Sequence, residues 1–170
     1  MAESFTLYKL IVLYMLEKVD FPLTTSQISE FILDKGYTTY FKLQETLSEM
    51  MESGLLRVET THNRTLYHLT ENGEETIQFF KNKISPAIQK DIDEFLKEKQ
   101  YDLKEEVAIK SDYYLNTRHE YDVQCQIVEN GFSLIDLKLT VPTEVEAETI
   151  ANNWTGQCQD IYALILSKLL

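Results

Sequence analysis

Between Thr24 and Gly73 the chain carries two short helical patterns, each closed by a glycine, and then two β-type runs around a polar tip. Thr24 can cap a helix through its hydroxyl, and Gln27, three residues on, can close a capping box. Ile28, Phe31 and Ile32 fall on one face of that helix. Lys35 and Gly36 end it, because a cation suits the negative end and glycine accepts the left-handed stop. A second helix is predicted from Thr38 or Thr39, with Tyr40, Leu43, Leu47 and Met50 as its buried stripe and Gly54 as its stop. The runs Leu55–Thr60 and Thr65–Leu69 follow, parted by Thr61-His62-Asn63-Arg64.

Helix, tight turn, helix and hairpin make the pattern of a winged helix-turn-helix. Gly54-Leu55-Leu56 closing a helix, and Tyr67-x-Leu69-Thr70-x-x-Gly73 closing a hairpin, resemble the winged-helix transcription regulators similar to PadR and MarR. Over its whole length, including Glu3-Ser4-Phe5-Thr6-Leu7-Tyr8-Lys9-Leu10, the chain is similar to an uncharacterised bacterial family of winged-helix regulators. The resemblance implies DNA binding by the N-terminal part and brings no chemistry to the rest.

The flanking segments complete an α+β reading. Phe5–Lys18 is apolar nearly all round, so it is predicted to be a first helix buried on most sides. Pro22 keeps it from running on through Val19–Leu23. After Thr70 the chain is helical again, and Ser85-Pro86 restarts a helix over Ser85–Lys99 with Ile88, Ile92, Phe95 and Leu96 on one stripe. Tyr101–Glu106 reads as a charged linker. The period then changes to two: Val107, Ile109, Tyr113 and Leu115 alternate with Ala108, Lys110, Asp112 and Tyr114, and Tyr121, Val123, Cys125 and Ile127 alternate with Asp122, Gln124 and Gln126. Asn130-Gly131 is a hairpin turn, and Ile135, Leu137, Leu139 and Val141 form a third apolar row. An amphipathic helix capped by Thr143 covers that face with Ile150, Ala151, Trp154, Cys158, Ile161, Tyr162, Ile165 and Leu169. The expected architecture is a winged helix-turn-helix over residues 1–83, a connector helix and linker over 84–106, and a small β-β-β-α domain with an antiparallel sheet over 107–170. The last is assigned to dimerisation or sensing.

Charge bounds the partners. The net charge is −12, but residues 105–170 carry four Lys/Arg against eleven Asp/Glu, whereas residues 1–70 carry six against nine. The acidity lies mostly away from the DNA-reading part, although a reader usually shows a basic face. The two cysteines, Cys125 and Cys158, stand far apart without a CxxC motif and read as buried free thiols. Phe5–Leu16 is too short to span a bilayer and has no cleavage site, so the expected compartment is the cytoplasm, away from membranes. No P-loop, GxGxxG, HExxH or GxSxG motif occurs, and His62, His68 and His119 lack metal-ligand spacing. The reading is therefore a non-enzyme, without metal or cofactor.

Burying the second helix's stripe leaves Thr38, Thr39, Phe41, Lys42, Gln44 and Glu45 facing outward as the DNA-reading set. Thr can meet bases or phosphates, Phe41 a thymine methyl, Lys42 a guanine or phosphate, Gln44 an adenine, and Glu45 a cytosine amine. Arg57 and Arg64 supply the hairpin's cations, with Arg64 at its tip. The polar sheet face of the C-terminal domain, with Lys110, Asp112, Tyr114, Gln124 and Gln126, reads as solvated or as a surface for a small-molecule or protein effector. The expected function is sequence-specific binding of double-stranded DNA by a homodimer, joined through the first helix, the Ser85–Lys99 helix or the C-terminal helix. The alternative is a winged-helix module that binds protein and not DNA.

Overall fold

The computed structural model describes residues 2–170, with side chains from residue 6 onward. The described chain is mixed α+β, with six α-helices and two three-stranded antiparallel sheets. It divides into two compact units, residues 1–104 and 105–170.

In the first unit, helix α1 (Ala2–Lys18) buries every residue from Leu10 to Leu16. A helix with no polar face must be covered on all sides, and here the rest of the unit closes round it. The two-residue strand β1 (Leu23–Thr24) leads directly into α2 (Thr25–Asp34). The capping box forms as expected: the Thr24 N–H donates to Gln27 Oε1 at 2.9 Å, and the Gln27 N–H donates to Thr24 Oγ1 at 3.1 Å. Gly36 adopts φ 69°, and the Tyr37 N–H reaches back to Ile32 O at 3.1 Å, so the helix ends in a left-handed reversal. Helix α3 (Tyr40–Glu52) ends the same way, with Gly54 at φ 76° and the Leu55 N–H on Met50 O at 2.9 Å.

Strands β2 (Leu56–Thr60) and β3 (Thr65–Leu69) form the expected hairpin, and β1 adds a third strand beside β3 in the order β1-β3-β2. The expected connector Val19–Leu23 thus ends in a strand. A two-residue strand is too short to show alternation.

Helix α4 (Glu71–Phe80), a 3-10 turn (Lys81–Lys83) and helix α5 (Pro86–Ala108) follow. The predicted linker at Tyr101–Glu106 is helix instead. Leu103 and Val107 extend the Ile92/Leu96 stripe at helical spacing, and both are buried. Gln27 of α2 also donates a side-chain hydrogen bond to Leu103 O at 3.3 Å. Charged residues between such positions form a solvated helix face as readily as a linker.

In the second unit, β4 (Ile109–Leu115), β5 (Tyr121–Glu129) and β6 (Phe132–Val141) pair in sequence order. Asn130 and Gly131 turn the β5–β6 hairpin with φ 51° and 81°, the left-handed pair such a turn requires. Helix α6 (Glu144–Leu169), capped by Thr143, lays Ala147, Ala151, Trp154 and Cys158 against Val123, Cys125 and Ile127. Val107 is not in the first strand, which starts two residues later. Ser111 takes the inward position between Ile109 and Tyr113 and donates to Ala151 O at 2.7 Å.

Candidate nucleic-acid interface

Helix α3 is fixed from within. Leu43, Thr46, Leu47 and Met50 are fully buried, and the Thr46 hydroxyl donates to Lys42 O at 2.8 Å. This i, i+3, i+4, i+7 set leaves the opposite face to solvent. Thr39 caps the helix, its hydroxyl accepting from the Lys42 N–H at 3.4 Å. Beyond the cap, Phe41 is 76% exposed, and Lys42, Glu45 and Ser48 are also exposed, while Gln44 is half-buried.

Two expected positions differ. Tyr40 was assigned to the buried stripe but is 57% exposed. It stands in the first turn, and burial on its side of the helix begins only at Leu43. Thr46 fills the stripe instead. Thr38 was expected to face outward, yet its Oγ1 is enclosed and has no hydrogen-bond partner among the described residues. It precedes the cap and belongs to the Gly36–Thr39 turn, so its hydroxyl is not presented to a ligand.

At the hairpin turn the Thr61 N–H donates to Arg64 O at 2.9 Å. His62 and Asn63 are the exposed tip, and Arg64 is half-buried at the closing position rather than at the apex. Arg57 lies elsewhere. It lines a recess of about 310 Å³ with Glu17, Asp20, Phe21, His68 and Glu74, to which α3 contributes no residue. Across the strands His68 Nε2 meets Glu59 Oε2 at 3.0 Å. Thr39, Phe41, Lys42 and Glu45 therefore share one helix surface, and Arg57 is not part of it. The exposed polar residues of α3 include one cation, Lys42, against Glu45, Glu49 and Glu52, with Glu49 paired to Lys9 at 2.9 Å.

A family model described as "Domain of unknown function (DUF4364)" matches residues 8–169. The chain belongs to the DUF4364 family. No curated protein and no solved structure matches it.

The match takes in both units of this DUF4364 chain. On the outer face of that sheet, the Gln124 and Gln126 side chains donate to Asp136 at 3.2 and 3.1 Å. Asp122 accepts from Asn116 at 3.0 Å and from Thr140 at 2.8 Å, with Lys138 at 3.6 Å. Those hydrogen bonds first, and the lysine after them, hold its carboxyl below the usual aspartate range. These polar groups satisfy one another, as on an open antiparallel sheet.

Cys125 and Cys158 are both buried and free, and burial pushes the Cys125 thiol up to about 11. A thiol held protonated in this way is a poor nucleophile. Among the described residues of this DUF4364 chain, no three His, Cys, Asp or Glu side chains are grouped to hold a metal ion. No described helix is long and apolar enough to cross a membrane.

Proposed function

We propose that this DUF4364 chain is a winged-helix transcriptional regulator that binds double-stranded DNA in the cytoplasm as a homodimer. In this reading the first turn of α3 enters the major groove and the β2–β3 hairpin is the wing. The supporting observation is the division of α3 itself. Its stripe from Leu43 to Met50 is fully buried, while Thr39, Phe41 and Lys42 stand exposed at its N-terminal end. Reading helices meet base edges with their N-terminal residues, and the positive end of the helix dipole lies there too. Phe41 suits a thymine methyl, Lys42 a guanine edge or phosphate, and Thr39 a phosphate oxygen. Glu45 stands one turn further along, where it accepts from a cytosine amine.

A second reading, a winged helix that docks on protein, is favoured by the three glutamates of α3 and by the exposed aromatic pair Tyr40 and Phe41. Aromatic residues are enriched in protein interfaces. Selecting fragments from a random DNA pool with the purified chain separates the two. Enrichment of one sequence that Phe41→Ala and Lys42→Ala weaken supports the regulator. Recovery of an unenriched pool supports the protein module.

A further inference from the structure

A homodimer needs an interface, and the fold has already used two of the three helices that the sequence offered for one. Helix α1 is enclosed from Leu10 to Leu16. The α5 stripe of Ile92, Leu96 and Leu103 packs into the first unit's own core, with Ile88 and Phe95 beside it. Uncovered apolar surface remains in the second unit. Helix α6 buries its Ala147–Cys158 face over the sheet, yet on β6 Leu139 points the same way and is 46% exposed. Phe132 and Leu134 on the same strand are exposed as well. In the order β4-β5-β6, strand β6 has no neighbour on its far side among the described residues. A long edge strand carrying unsatisfied backbone groups and exposed leucines is a template for another strand.

We propose that a second copy of this chain pairs there, β6 antiparallel to β6 about a two-fold axis at Leu137. The strand's own sequence is complementary to itself in this register. Leu137 meets Leu137 of the other copy once, on the axis, while Ile135 faces Leu139 and Asp136 faces Lys138 twice each, as a two-fold interface demands. Asp136 and Lys138 lie on the outer sheet face and are both exposed. Pairing sets opposite charges directly across from one another, which favours this register over a slipped one. On the inner face it joins the two apolar rows and covers Leu139. The other edge, β4, has a similar Lys110/Asp112 alternation. Its inward residues Ser111 and Tyr113 are already buried, so pairing there would leave the β6 leucines exposed.

This inference rests on the homodimer of the proposed function but not on its DNA contacts, and the test keeps the two apart. Sedimentation equilibrium on the full chain is run for wild type, Asp136→Lys, Lys138→Asp and the double exchange, with thermal unfolding followed by circular dichroism. Wild type is expected to dimerise. Each single exchange sets like charges opposite each other twice and should weaken dimerisation about tenfold or more. The double exchange restores the complementary pairs and should restore the dimer. Lys138→Asp also places a carboxylate beside Asp122, so Leu139→Lys serves as a second variant at a half-exposed site. It too should weaken dimerisation while melting near wild type. Overturning results are a monomeric wild type, single exchanges that dimerise like wild type, or a double exchange that fails to rescue. Loss of dimer in Lys110→Asp or Asp112→Lys, each made singly, while the β6 variants stay dimeric would likewise move the interface to β4. DNA titrations on the same proteins read the regulator function separately. An intact β6 dimer that binds no DNA removes that function and leaves this interface standing.

Discussion

At Gly73 the backbone comes so close to Leu55 that no side chain fits. A Cβ there would lie 2.3 Å from Leu55 O and 2.8 Å from Leu69 Cδ1. Thr70 makes the approach: its hydroxyl lies 2.7 Å from Gly54 O and 2.9 Å from Leu55 O, and accepts from the Gly73 N–H at 3.0 Å. This is the physical content of the Leu69-Thr70-x-x-Gly73 motif. Its members were visible in the sequence, whereas the Leu55 carbonyl they clamp was not. Gly73→Ala must push backbone against backbone and should cost at least about 2 kcal/mol, read as a lower denaturant midpoint. An unchanged midpoint would mean that the approach is not enforced.

Asp122 is the second instructive residue. Alternation marked it only as an outward polar position, because its partners Asn116, Lys138 and Thr140 come from a loop and from the neighbouring strand. Its folded carboxyl sits below the ordinary value near 3.8, so the charged form stabilises the fold above that pH. That contribution is lost as pH falls below the ordinary value and through the depressed one. Asp122→Asn should therefore flatten the acid limb of stability in the second unit, followed by the fluorescence of Trp154, the single tryptophan. An acid dependence identical to wild type would contradict the assignment.

At the scale of elements, the strongest local signals are the ones that set the fold. The Thr24–Gln27 box, the two left-handed glycines and Asn130-Gly131 all fix backbone conformation through neighbouring residues, so a sequence displays them directly. What the sequence displays poorly is the end of an element. Tyr40 has the right spacing for the α3 stripe but stands in a first turn that the core does not cover. The charged Tyr101–Glu106 segment remains helical because Leu103 packs into the first unit's core, a fact settled by tertiary packing. Leu47→Ala tests the α3 stripe. With Leu47 buried among Leu43, Met50 and α1, the truncation should cost about 2–5 kcal/mol. A wild-type unfolding midpoint would move Leu47 out of the core.

Over the whole molecule, charge and topology pull in different directions. The hairpin-and-helix arrangement suits a DNA reader, while the chain carries −12 and α3 shows one lysine against three glutamates. Composition needs no fold, so the acidity was legible in the sequence itself. It could not show that Arg57 would line a recess apart from α3 or that Arg64 would close the turn rather than crown it. The outward residues of α3 were legible because one buried stripe dictates the other face. The hairpin cations were not, since a strand pattern says little about which side of the sheet faces a ligand. Under the proposed function, so few cations make binding depend on the contacts of Phe41 and Lys42 more than on a phosphate-binding surface. The direct measurement is a titration of the purified chain with its best selected duplex at two salt concentrations, beside Phe41→Ala, Lys42→Ala and Arg64→Ala. The proposed function predicts saturable binding that Phe41→Ala weakens selectively for the chosen sequence. It also predicts a log–log salt slope reduced by about one for each lost phosphate contact in Lys42→Ala and Arg64→Ala. Binding by all three variants indistinguishable from wild type, or no binding by the wild-type chain, would contradict it.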